Sequence, residues 1–287
     1  MYYALIMLSV VVFSGCFAFT NIYRKYRGAG LQVSLESTFI GSIAGIIALS
    51  VINGFKLEFT WFTLVMAILK ALSGFGFSYC SLKALGRINL SLYSLFSMLG
   101  GMALPFLQGI IFYGEDLTVA KLICFIVITI ALLITIEKGE RKKGTIFYIG
   151  IFVLNGMSGV LTKIFTSAPL EKTSPEAFQI LICVCSVVIS AFVLLAFFRK
   201  SAFKNKSSIK IFGACAASSI LNKIANLLLV IALMHVDASV QYPMVTGGTM
   251  IVSTIICFFG ENKPSKKEIL SVIVAFFGMF ALFAIKF

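Results

Sequence analysis

The sequence predicts an all-α integral membrane protein with ten transmembrane helices in two inverted five-helix repeats. Three observations carry that expectation. Of 287 residues, 60% are hydrophobic and only 12% are charged, about half the charge of an ordinary soluble domain. The apolar residues run in continuous stretches near the ~20 residues that cross a bilayer core. A pattern also recurs. Gly100-Gly101 inside one apolar stretch, with Gly114-Glu115 at its end, returns roughly 146 positions later as Gly247-Gly248 and Gly260-Glu261.

The predicted spans follow in chain order. Span 1 is Tyr3 to Tyr23; it lacks a basic leader and a small-residue cleavage site, so it is expected to be retained. Span 2, Leu31 to Val51, carries Glu36 and a small-residue face at Gly41 and Gly45 suited to close helix packing. Span 3, Thr60 to Leu82, contains Lys70 and runs out through Ala84-Leu85. Span 4, Leu90 to Phe112, holds Gly100-Gly101 and Pro105. Span 5, Val119 to Ile136, is apolar after a short polar stretch. Span 6, Thr145 to Ser167, repeats span 1, with Asn155-Gly156 and Thr162-Lys163 answering Ser14-Gly15 and Thr20-Asn21. Span 7 is Pro175 to Phe198. Span 8, Ile209 to His235, carries Asn222, Lys223 and Asn226 and runs out through Ala232-Leu233. Span 9, Val240 to Phe259, opens on Gln241-Tyr242-Pro243, and span 10 is Ile269 to Phe287. Barrel strands alternate polar and apolar residues over about ten positions, which these runs do not.

Spans 1 to 5 thus correspond to spans 6 to 10. Residues 1–137 form the first repeat, 138–144 a basic linker and 145–287 the second. Five spans is an odd number, so the copies point in opposite directions across the bilayer.

The 24 basic residues give the orientation. Lys70, Lys163 and Lys223 lie within spans, and Lys56, Lys121, Lys172 and Lys286 lie on one side. All the others fall in the loops after spans 1, 3, 5, 7 and 9. Basic loops stay in the cytoplasm, so both termini are expected outside the cytoplasmic membrane. The net charge of +13 is therefore loop polarity, not a nucleic-acid surface. The seven cysteines lie in apolar runs and read as reduced packing residues. No cofactor or metal site is expected.

The Ala-Leu end of the third helix in each half, the Gly-Glu after the fourth and the apolar fifth helix are repeated in order. In these features the chain resembles the drug/metabolite transporter superfamily, with two EamA-type repeats spanning almost its whole length. The resemblance implies movement of a substrate by alternating access. It also implies a central cavity lined mainly by helices 1, 3, 4, 6, 8 and 9, with helices 5 and 10 as outer support. Pro105 sits ten residues before Glu115, where the family often has proline; the departures are Ile251 in the equivalent region of the second half, the earlier Pro243, and the two deep lysines.

Ionisable groups inside a bilayer are costly and are functional candidates by default. Lys70 and Lys223 lie at similar depth in corresponding spans. Two cations in one cavity with little acid suit an anionic or carboxylate-bearing substrate, and either could carry a proton. The competing reading is that each snorkels or donates to backbone carbonyls. Glu36 could pair with Lys70, gate the cavity or exchange a proton; a wet interfacial position is the alternative. Asn222 and Asn226 share a helix face and either line the cavity or bond between helices. Gln241, Tyr242 and Thr246, with Pro243, suggest a broken helix 9 whose freed backbone could hold a substrate. Tyr79, Tyr93 and Ser97 would be their counterparts, although tyrosines near span ends also serve as interfacial anchors. Gly100, Gly247, Pro105 and Pro243 are hinge or packing positions. Lys163 is read as snorkelling, Glu115 as a helix-end marker and His235 as a surface residue.

The function expected is secondary transport of a small polar metabolite, of amino-acid or organic-acid type, with export as one direction. The lipid bilayer is then a partner, and a monomer or a homodimer both fit. The alternatives are a membrane-embedded lipid-modifying enzyme and a non-transporting scaffold.

Overall fold

A computed structural model of the chain describes residues 1–28, 30–56, 58–85, 90–134, 145–199, 209–258 and 264–284. These residues form ten helices: α1 Tyr2–Arg27, α2 Leu31–Ile52, α3 Trp61–Leu85, α4 Leu90–Tyr113, α5 Val119–Ile134, α6 Thr145–Ser167, α7 Pro175–Phe197, α8 Ile209–Leu233, α9 Ala238–Phe258 and α10 Lys266–Ala284. Six of them are long and apolar enough to cross a membrane, in α2, α3, α4, α6, α7 and α8. They suggest a multi-pass membrane protein. The linker at 138–144 and Gly260-Glu261 lie outside the described residues.

The burial pattern fits that solvent. Large apolar side chains such as Ile47, Trp61, Val188, Phe192, Leu195 and Phe277 point outward. Small polar ones, among them Ser9, Ser14, Ser42 and Ser190, are buried. In lipid each backbone group must be satisfied internally, and hydroxyls then bind helices together. Ser73 donates to the Leu154 carbonyl at 2.8 Å, joining α3 to α6. Ser218 donates to the Cys16 carbonyl at 3.2 Å, joining α8 to α1. Ser271 donates to Ala131 at 2.6 Å, joining α10 to α5.

Local chemistry sets the helix starts. Thr60 caps α3 by accepting from the Thr63 N–H at 3.2 Å. Ser174 caps α7, with Pro175 in the first turn, where a missing N–H costs nothing. Ser265 and Glu268 form a capping box with reciprocal bonds of 3.3 and 2.6 Å. That box starts α10 at Lys266, ahead of the predicted Ile269. α1 runs past its predicted end to Arg27, and the added turn brings Arg27 to Glu36. α9 is not broken: it is continuous through Pro243, as α4 is through Pro105. Neighbouring helices keep such prolines tolerable in a membrane.

α1 packs on α8 and α9, α6 on α3 and α4, α2 on α7 and α8, and α3 on α7. α4 meets α9, and α5 lies against α10. α4 crosses α6 with backbone close to backbone. A Cβ at Gly156 would come within 2.6 Å of the Gly100 carbonyl, and one at Gly100 would strike the Phe152 backbone. Backbone cannot yield as a side-chain tip does, so Gly100→Ala is expected to destabilise the protein by about 1–3 kcal/mol, read as a lower melting temperature in detergent.

Candidate functional site

The centre of the bundle holds a cavity in two lobes, of about 420 and 580 Å³. Small-molecule sites typically enclose about 300–1,000 Å³. The lobes share Lys70, Phe77, Ser158, Asn222 and Asn226. The first runs past Ser34, Ser78 and Ser190, toward the end where α2 begins and α3 and α7 finish. The second runs past Thr162, Val230 and Tyr242, toward the opposite end. α5 and α10 supply no lining residue to either lobe, whereas α2 and α7 do. The lining is thus wider than the six helices the resemblance implied.

Helical periodicity explains which α3 residues face inward. Lys70, Gly74, Phe77 and Ser78 follow the spacing of one face. The Lys70 ammonium donates to Thr162 Oγ1 at 2.5 Å and sits 5.6 Å from the centre of the Phe178 ring. Thr162 itself donates to the Ser158 carbonyl at 2.8 Å. Lys223 borders the first lobe, and no hydrogen bond or ion pair reaches it among the described residues. Both lysines therefore face the cavity, and Lys70 does so without a carboxylate partner as well.

The other predicted residues divide. Asn222 and Asn226 line both lobes, with Asn226 Nδ2 donating to Asn222 Oδ1 at 3.1 Å and to its carbonyl at 2.8 Å. Ser97 lines the second lobe, and its carbonyl accepts from Asn155 Nδ2 at 2.6 Å. Thr246 and Tyr242 line the same lobe, and the Tyr242 hydroxyl donates to the Gly159 carbonyl at 3.0 Å. Gln241 borders neither lobe; it is buried and donates to the Leu229 carbonyl at 3.0 Å, tying α9 to α8. Tyr79, one position past Ser78, is exposed and also borders neither lobe. The side chain of Tyr93 lies outside the described residues. A Cβ at Gly247 would lie 3.1 Å from Ile128 and Met279, so Gly247 sits at the junction of α9 with α5 and α10. Pro105 and Pro243 are buried within continuous helices. Pro105 has no N–H to offer the Gly101 carbonyl a turn earlier, and Gly101 borders the second lobe.

Glu36 meets Arg27 in a buried ion pair and accepts from Gln32 at 2.8 Å. Of the alternatives the sequence left open, pairing with Lys70 is not the one seen: Arg27 and Gln32, at the far end of α1 and the near end of α2, hold Glu36 instead. His235 is exposed and stacks on Tyr2, the rings 3.9 Å apart.

Beyond the second lobe lies a cluster the sequence reading passed over. Gly114, with φ +64°, ends α4 and turns Glu115 back over the bundle. The Glu115 carboxylate bonds the Lys163 ammonium at 2.6 Å, both side chains being more than nine-tenths buried. It also accepts the N–H groups of Ala238 and Ser239 at 2.9 and 2.8 Å. A carboxylate on those first N–H groups suits the positive end of the α9 dipole. Beside it Lys121 pairs with Asp237 at 2.7 Å, and Glu58 accepts from the Ser174 N–H at 2.5 Å. Four loops are thus tied together at one end: α4–α5 to α8–α9, and α2–α3 to α6–α7.

Lys163 therefore does not snorkel; it is held inward by a buried acid. The signal in the sequence was a lysine inside an apolar span and an acid at the same end, which together satisfy a cost neither meets alone. Gln179 was also missed. It is the single amide of the apolar helix α7, borders the first lobe, and its buried Nε2 has no hydrogen-bond partner among the described residues.

No protein-family model matches the chain, and no curated protein matches it. A solved structure described only as "Crystal structure of protein" superposes with a TM-score of 0.75 at 17% sequence identity. The match covers 96% of this chain and 94% of that one. At this identity the likeness speaks for a shared fold and carries no function.

Proposed function

We propose that the chain is a secondary transporter of the drug/metabolite type, built from two inverted EamA-type repeats. It moves a small polar metabolite of amino-acid or organic-acid class by alternating access. The observation that carries the reading is the central cavity, with Lys70 and Lys223 on the third helix of each half and no acidic side chain on its wall among the described residues.

Packing supports the repeat. Exchanging each helix with the one five places on turns the contact of α1 with α8 into that of α6 with α3. It likewise turns α1 with α9 into α6 with α4, and α2 with α8 into α7 with α3. A serine of the third helix donates to a first-helix carbonyl of the other half in both cases, through Ser73 and Ser218. Such a two-fold arrangement puts a binding site at the repeat interface, where rocking of the halves exposes it alternately to each side. The Glu115 cluster closes one end in this arrangement. A proton gradient or the gradient of the solute itself supplies the energy, and export is the direction we favour.

The basic loops put both termini outside the cytoplasmic membrane. A fluorescent reporter that matures only in the cytoplasm, fused after Phe287, is expected to stay dark. The transport reading is tested by solute entry into vesicles holding the purified chain, across a mixed panel of metabolites with and without a pH gradient. At least one solute should enter faster than into empty vesicles.

A further inference from the structure

The transport reading leaves open whether the substrate is an amino acid or an organic acid, and the cavity wall discriminates between them. An amino acid brings an ammonium that needs an acceptor, most strongly a carboxylate. Neither lobe offers one among the described residues: Glu36 is engaged by Arg27 and Gln32, and Glu115 by Lys163 and the start of α9. The charged groups on the wall are donors. The Lys223 ammonium has no partner among the described residues, and Gln179, which borders the same lobe, has a buried Nε2 without an acceptor that a turn of the amide would bring to a ligand. The Lys70 ammonium spends one of its three protons on Thr162. The two ammonium groups repel each other across the lobe, and an anion between them converts that repulsion into two attractions. A buried amide without a partner is costly in a protein interior, and an oxygen-rich ligand would satisfy it.

We propose, resting on the transport reading, that the substrate is a small anion with two negative charges and no ammonium group, bridged by Lys70 and Lys223 and taking a further hydrogen bond from Gln179. Carboxylates and phosphate share this chemistry, since both present oxygen acceptors in pairs.

The test uses the full chain in lipid vesicles with four labelled solutes: succinate, inorganic phosphate, lactate and alanine. Succinate, phosphate or both should enter at least tenfold faster than into empty vesicles, while lactate and alanine stay near background. Entry of succinate alone identifies a dicarboxylate site and entry of phosphate alone a phosphate site, and either supports the proposal. Gln179→Leu should lower the entry of the dianion several-fold without shifting the melting temperature in detergent downward. Entry of alanine or lactate with both dianions excluded overturns the proposal and leaves a transporter standing. Entry of none of the four overturns it together with the transport reading if the wider metabolite panel is also silent, and by itself if another solute on that panel enters.

Discussion

Glu115→Ala is expected to destabilise the protein by about 3–5 kcal/mol, the usual cost of leaving one member of a buried ion pair alone. The Lys163 ammonium would then lie in the interior beside the Tyr113 ring, 5.3 Å away, with no anion against it. The first N–H groups of α9 would lose their acceptor as well. Glu115→Gln keeps an acceptor oxygen for α9 but loses the charge, so a smaller loss is expected. Adding Lys163→Met to Glu115→Ala should recover much of the stability, because the uncompensated cation goes with it. Melting in detergent measures all three. A Glu115→Ala variant that melts with the parent would show that the cluster does not hold the helices together.

The same group sets an acid limit. Burial pushes the Glu115 carboxyl upward, but the Lys163 ammonium and the N–H donors of Ser239 and Ala238 outweigh it and hold it below the usual carboxylate range. Glu58 is held low by the Ser174 N–H. A depressed carboxyl contributes stability above its unfolded value and loses it as pH falls through the folded one. Stability from these ties is therefore expected to be complete near neutrality and to fall only in acid, below the ordinary range for glutamate.

The ten helices were legible from their continuous apolar runs. A continuous apolar run near span length has few folds open to it, and each predicted span coincides with a helix to within a few residues at the described ends. The start of α10 moved to a local capping box, and the start of α9 moved where a side chain reached across the chain. Glu115 starts α9 from a loop more than a hundred positions earlier, and no local pattern reveals that. The deep lysines were legible as candidates from cost alone. Gln241 and Tyr79 border neither lobe, because polarity near a span end does not say which face a residue occupies. Gln179 was overlooked because one amide barely alters the hydropathy of α7, and nothing in a continuous apolar run says that this position is buried at the cavity wall.

Lys70→Met and Lys223→Met are each expected to cut solute entry by roughly 10- to 100-fold under subsaturating conditions. A hydrogen bond to a charged partner is worth about 1.5–3 kcal/mol, and 1.4 kcal/mol is a factor of ten. Stability should move the other way or not at all. Methionine has a similar length, and exchanging an unpaired interior cation for an apolar side chain removes a desolvation cost. Thr162 keeps its own bond to the Ser158 carbonyl when Lys70 is gone. Loss of entry with an unchanged or raised melting temperature separates a role in binding from a role in folding. Normal entry in both variants would take the lysines out of the mechanism.

A single cavity exposed alternately to two sides has a kinetic signature that a pore or a leak lacks. Vesicles preloaded with unlabelled solute should take up the labelled form faster than empty-loaded vesicles and show a transient overshoot. The loaded carrier returns through the membrane with cargo, and label is trapped inside until the internal pool is diluted. Counterflow of this kind, measured with whichever solute enters best, is the result alternating access predicts. Entry that ignores the internal pool, or no entry above protein-free vesicles, would contradict it.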